Sequence, residues 1–188
     1  MNICVFCSSS NSVDEKYFQE AKNLGLAIGN AGHNLVYGGT NTGLMNQVAV
    51  SVKEAGGKVI GVVPKLINDF GISADFLDEL VITPDMAERK KVLREKSDAF
   101  VALPGGFGTL EEILEVITLK QLGYHNLPIV FVNTNGFYDF LKDQFELAYH
   151  ENFAKEDYRH YYEFVNNYDD VMVYVLNYKK EQLKTKWD

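Results

Sequence analysis

The stretch "AFVALPGGFGTLEE", residues 99–112, decides the fold. A β-rich apolar run ends at Pro104, three glycines follow within four positions, and a helical pattern opens at Thr109. Strand, glycine turn and helix in that order are the repeating unit of a parallel α/β fold. A helix opening from such a turn also suits an anion, because unpaired N–H groups and the positive end of the helix dipole converge there. Glu111 and Glu112 fall close behind, in what the pattern reads as the first helical turn, where they would repel that anion.

The same alternation runs outward in both directions. Strands are predicted at 3–8, 33–38, 58–63, 79–83, 99–104, 128–133 and 162–165, each a short run rich in β-branched or aromatic residues. Helices are predicted at about 15–30, 43–55, 85–96, 109–122, 138–150 and 168–178. Phe18, Ala21, Leu24 and Ile28 mark the buried stripe of the first, and Gly32 its C-terminal stop. The alternation implies one α/β domain over 1–188, a Rossmann-like doubly wound, mainly parallel sheet flanked by helices. Ligands of such sheets gather beyond the carboxyl ends of the strands.

With 188 residues, 46% of them hydrophobic, the chain is long enough to bury a full core. A formal net charge of −8 and a pI near 5.0 argue against a partner such as nucleic acid or an anionic membrane. A small anion bound in a local loop remains compatible with that charge. The opening "MNICVFC" has neither a basic region nor a cleavage pattern, and no apolar run is long enough to span a bilayer, so a cytoplasmic location is expected. Cys4 and Cys7 have C-x-x-C spacing but lie on a strand pattern, which points them to opposite faces as core residues. His33, His125, His150 and His160 show no metal-binding spacing, so no metal is expected. The final ten residues, "KKEQLKTKWD", read as a helix end or tail, with Trp187 in a packing role.

Three segments follow predicted strands and converge on one sheet edge. Two are glycine loops, "YGGTNTGLM" at 37–45 and the stretch around Gly105, Gly106 and Gly108. Neither has the Gly-Lys-Ser/Thr of a P-loop or the G-x-G-x-x-G of a dinucleotide site. The third, "PDMAERKKVLREKSD" at 84–98, is locally basic in an acidic chain. Lys91, Arg94 and Lys96 read as a solvated, salt-bridged face. Arg89 and Lys90 lie near the helix start, where the dipole disfavours cations, and this conflict points to function. Thr109 and Glu112 have the spacing of a capping box, with Thr109 as N-cap. The alternative is that Glu112 is a catalytic acid lying beyond a bound phosphate.

The segments "VFCSSS" (5–10), "VYGGTNTGLM" (36–45), "DMAERK" (85–90) and "LPGGFGTLEEILEVITLKQLG" (103–123) resemble, in this order, the LOG (Lonely Guy) proteins. These are cytokinin riboside 5′-monophosphate phosphoribohydrolases, often mislabelled as lysine decarboxylases. The resemblance covers nearly the whole chain. It implies a Rossmann-like homodimer that cleaves the N-glycosidic bond of an adenine-type nucleoside 5′-monophosphate, such as AMP or an N6-substituted AMP, and needs no metal or organic cofactor. It places the catalytic roles on Arg89 and Glu112, with Glu111 a secondary candidate. Gly105, Gly106, Gly108 and Thr109, with Gly39, would hold the 5′-phosphate. Met86 and Lys90 would line the nucleotide pocket beside Ser8 and Ser9. The chain departs from the family pattern at Ser8, Thr40 and Asn46, where glycine is common.

On this reading Glu112 stabilises an oxocarbenium-like sugar and aligns water, while Arg89 orients the substrate or the carboxylate. Arg89 would also lower the Glu112 pKa. The competing reading is a non-catalytic nucleotide sensor or carrier on the same fold, for which a glutamate at this position is not required.

Overall fold

The computed structural model describes residues 1–180 and 185–187. Seven strands form one sheet: β1 (Asn2–Phe6), β2 (Asn34–Tyr37), β3 (Val59–Pro64), β4 (Glu79–Thr83), β5 (Ala99–Ala102), β6 (Ile129–Val132) and β7 (Glu163–Val165). Their spatial order is β4-β3-β2-β1-β5-β6-β7, and every pairing is parallel. The helices are α1 (Glu15–Asn30), α2 (Gly43–Glu54), α3 (Lys65–Asp69), α4 (Met86–Glu95), α5 (Phe107–Gln121), α6 (Asp139–His150) and α7 (Tyr168–Asn177). The doubly wound class follows from this order: from β1 the chain winds outward to β4, then crosses back to β5 and winds the other way. The topological switch point therefore lies between β1 and β5.

Strand alternation sorts the core into two layers. Ile3, Val5 and Cys7 face the layer that contains α1, α2 and α7, through Leu24, Ile28, Val48, Val52 and Val175. Cys4 and Phe6 face the other, through Leu93 of α4, Ile113, Val116 and Ile117 of α5, and Tyr149 of α6. The two cysteines are thus buried in separate layers as free thiols. Gly32 takes φ +71° just past α1, as a C-terminal stop requires.

Three features differ from the sequence reading. The short helix α3 buries none of its residues, so no apolar stripe advertises it. Trp187 is exposed rather than packed, and residues 181–184 and 188 of the tail lie outside the described residues. Most consequential, α5 begins at Phe107 rather than Thr109. Among the described residues, no helix is long and apolar enough to cross a membrane.

Lys120 is a buried cation that the sequence reading passed over. Its Nζ donates to the Leu127 carbonyl, the Tyr161 carbonyl and the Tyr178 hydroxyl, each at 2.8 Å. It thereby ties α5 to the chain on both sides of α7. Burial pulls its pKa down to about 7. Above that pH the unfolded chain binds the extra proton, so Lys120 makes stability rise with pH from about 7 towards its ordinary value of 10.5. Lys120→Met should abolish that rise and cost about 1–3 kcal/mol by removing three buried hydrogen bonds. Urea melts of both proteins at pH 7 and 9 test both effects.

Candidate active site

A cleft of about 490 Å³ opens beyond the carboxyl ends of β1 and β5. Its wall includes Ser8, Ser9 and Ser10 after β1, Gly38 and Met45 from the first glycine loop, and Met86 and Arg89 of α4. Gly106, Phe107, Gly108, Thr109, Glu111 and Glu112 complete it from α5. Of the residues singled out in the sequence, Ser8, Ser9, Met86, Arg89, Gly106, Gly108, Thr109, Glu111 and Glu112 meet here, whereas Gly39, Lys90 and Gly105 do not line it.

The two glycine loops have different tasks. In the first, the N–H groups that open α2 are already engaged: Gly43 donates to Asn11 Oδ1 at 2.8 Å, and Leu44 and Met45 donate to the Ser8 carbonyl at 2.9 and 3.3 Å. Gly38 instead makes room for Arg89, since a Cβ there would lie 2.3 Å from Arg89 Nη2. Gly39 takes φ +75° behind it, packed on Gly61 and Val63. These loop residues shape the cleft from behind.

The second loop leaves a helix terminus open. Gly106 is the N-cap of α5, and no side chain caps the helix. The first N–H groups of any helix lack an intrahelical acceptor, and here the first turn carries no acidic residue. The other described helices of ten residues or more have an acid in that turn, or, in α2, the engaged N–H groups above. The capping box expected from the sequence is therefore absent. Thr109 is the third helical residue, buried against Gly105, where any Cβ would fall 2.1 Å from Thr109 Oγ1. Glu112 sits in the second turn, too far along to reach back. A Cβ at Gly106 or Gly108 would meet nothing within 4 Å, so the chain itself gives no steric reason for glycine there. Close approach of a ligand to the backbone would give one.

Across the cleft, Asp85 caps α4 by accepting from the Glu88 N–H at 2.9 Å. One turn on, Arg89 donates from Nε to the Val62 carbonyl at 3.1 Å and from Nη1 to Glu112 Oε1 at 2.6 Å. Both side chains of the pair are nearly buried, 10% and 13% exposed. Burial pushes the Glu112 carboxyl above the ordinary range, and Arg89 only partly opposes it. The expectation that Arg89 would hold this pKa down is thus reversed, because desolvation outweighs the nearby charge.

Lys90 is redirected as well. Its ammonium is held by Glu111 and, at 3.0 Å, by Glu115, away from the cleft wall. Arg94 pairs with Glu115 at 3.0 Å, Lys91 with Glu88 at 3.4 Å and Lys96 with Glu79 at 2.8 Å, the salt-bridged face read from the sequence. Sequence reasoning missed Phe107, which is 94% exposed on the cleft rim. A large aromatic inside a glycine loop was the available signal.

A parallel α/β protein with an open helix terminus facing a buried acid at its switch point is built to hold an anionic ligand near a carboxylate. The chain belongs to the LOG family of cytokinin riboside 5′-monophosphate phosphoribohydrolases. A family model described as "Possible lysine decarboxylase" matches residues 45–175. An Arabidopsis thaliana relative named cytokinin riboside 5′-monophosphate phosphoribohydrolase LOG5 is 38% identical over 190 residues, spanning 99% of this chain and 83% of that protein. A relative from Oryza sativa subsp. japonica, LOGL1, named a probable enzyme of the same activity, is 43% identical over 84% of this chain and 70% of its own. Among solved structures, the Moco carrier protein of Chlamydomonas reinhardtii is similar with a TM-score of 0.70 and 22% identity. It covers 93% of this chain and 94% of its own, a likeness of fold.

Removing one partner of the buried pair strands the other. Arg89→Met alone should cost about 3–5 kcal/mol, whereas Arg89→Met with Glu112→Leu should be near neutral or stabilising. Chemical denaturation of the two variants would show whether the pair contributes to stability or is retained at its expense.

Proposed function

We propose that the chain hydrolyses the N-glycosidic bond of adenine-type, cytokinin-like nucleoside 5′-monophosphates, giving free base and ribose 5-phosphate. The observation that carries this reading is the open N-terminus of α5 and the buried Arg89–Glu112 pair in one cleft. The names of the relatives support the substrate class. The 5′-phosphate would rest on the N–H groups after Gly106, close to Gly108 and Thr109, with Gly105 shaping the turn from behind. The ribose then extends towards Glu112, and the base towards the apolar wall of Met45, Met86 and Phe107.

The chemistry follows from charge. Cleavage at C1′ develops positive charge on the sugar, and an ionised carboxylate held in a desolvated site stabilises it strongly. Glu112 would do this and orient the water whose oxygen adds to C1′ while its proton ends on the base. Arg89, anchored on Val62, fixes that carboxylate's position. A decarboxylase reading finds little support, since the buried Lys120 is fully engaged by its three acceptors outside the cleft. A homodimer is also part of this proposal. It rests on family membership, and exposed Leu80, Ile82, Met86 and Leu114 offer apolar surface for it. A reducing, cytoplasmic location fits the two free thiols.

Incubation with nucleoside 5′-monophosphates should release ribose 5-phosphate, while the matching nucleosides, lacking the anchor, should react far more slowly. Equal rates on both would remove the phosphate argument, and saturable binding without turnover would favour a carrier. Glu112→Gln should lower kcat at least about 100-fold while ribose 5-phosphate still binds. Because the folded pKa of Glu112 is raised, its ionised form is lost as pH falls through that value. The acid limb of kcat/KM, which reports the free enzyme, should therefore lie above the usual glutamate value of 4.5, and a limb at or below it would contradict the role.

A further inference from the structure

We propose that Lys90 is a positioning residue: it cancels the charge of Glu111, so that the acidic flank of α5 accepts an anionic ligand. This rests on the phosphate-binding reading of the α5 terminus and assigns Lys90 a role other than contact with the nucleotide.

Glu111 lies only one turn beyond the N–H groups proposed to hold phosphate, lines the cleft and is about half exposed. Uncompensated, its carboxylate would repel the dianion that the helix terminus attracts. The counter-charge comes from α4, along its seam with α5. The Lys90 ammonium is mostly buried, and its hydrogen bond to Glu111 is the main reason that its pKa is raised. Its second partner, Glu115, is already paired with Arg94. That leaves the Lys90 charge for Glu111, which has no other ion-pair partner among the described residues.

The seam between α4 and α5 is therefore neutral as a set. Arg89, Lys90 and Arg94 face Glu111, Glu112 and Glu115. Remove Lys90 and one negative charge is left over beside the phosphate cradle. The same arrangement accounts for a basic helix start in a chain of net charge −8, where the helix dipole by itself disfavours cations. The seam supplies what the dipole does not.

The test is binding of ribose 5-phosphate, compared with adenosine, to the full chain by calorimetry. Lys90→Met should weaken ribose 5-phosphate roughly fivefold, as expected for an uncompensated charge several ångströms from a dianion in a partly solvated site. Adenosine affinity should not change. Lys90→Arg should restore binding, and so should Lys90→Met combined with Glu111→Gln, which removes the surplus charge instead of replacing the cation. Because Glu111 is exposed, the defect of Lys90→Met should fade in about 0.5 M salt, whereas a lost structural tether would not recover. If Lys90→Met does not fold, Glu111→Gln alone tests the same point, since it should tighten ribose 5-phosphate binding. Full affinity in Lys90→Met, or a defect that the double variant deepens, would overturn the inference. A wild-type chain that binds ribose 5-phosphate no better than ribose would instead overturn the phosphate reading itself.

Discussion

The contact between Arg89 and Glu112 constrains most of what surrounds it. Two opposite charges are held nearly out of water, and each loses several kcal/mol of hydration in the process. Such a pair survives only if its geometry is fixed from several sides. Arg89 is anchored on the carbonyl of Val62 within β3, and Gly38 just past β2 is bare because the guanidinium occupies the space of its side chain. Two neighbouring strands of the β1–β4 half of the sheet, β2 and β3, thus converge on one side chain carried by α4, while Glu112 arrives from the other half on α5. The pair spans the topological switch point and joins the two windings of the fold.

Burial also decides the electrostatic sign. A carboxylate beside an arginine is expected to acidify, yet Glu112 moves the other way, because desolvation exceeds the attraction. Beside this carboxyl the arginine limits the upward shift rather than producing a downward one. Its service to Glu112 is mostly geometric. A similar economy operates along the rest of the α4–α5 seam, where exposed Glu111 and half-buried Glu115 are matched by Lys90 and Arg94. The buried pair fixes a position, and the outer pairs set the local field.

The sheet was legible in the sequence because its strands are short β-rich runs, the central ones buried on both faces, and parallel α/β periodicity has few other solutions. Strand β4 and helix α1 fall where the pattern puts them. The start of α5 did not. Gly106 and Gly108 carry poor helix propensity, so the pattern appeared to begin at Thr109, which then resembled an N-cap. The structure overrides propensity there, and the two-residue difference moves both glutamates out of the first turn. Lys90 was misplaced for a related reason. The resemblance put it in the nucleotide pocket with Met86, but the carboxylates that claim it are more than twenty residues away in the chain. A sequence reveals periodicity within an element far better than ion pairs between elements. Phe107 was missed because exposure is a property of the assembled surface, not of the residue type.

The two glycine loops show why a Rossmann-like sheet can lack the usual fingerprint. In that fold the turn after β1 ordinarily presents a helix terminus to phosphate. Here Asp14 caps α1, and the turn contributes the Ser8 carbonyl and the Asn11 side chain to the start of α2. Both of those helix termini are therefore satisfied by the chain itself and closed to an anion. The equivalent opening lies directly across the switch point at α5, where a glycine N-cap, an acid-free first turn and two glycines with no steric partner coincide. Moving the open terminus from α1 to α5 puts it on the helix that also carries Glu112. On the proposed reading, an anion on that terminus and the Glu112 carboxylate would be held at a distance set by the helical rise, about 1.5 Å per residue, which no loop movement would change.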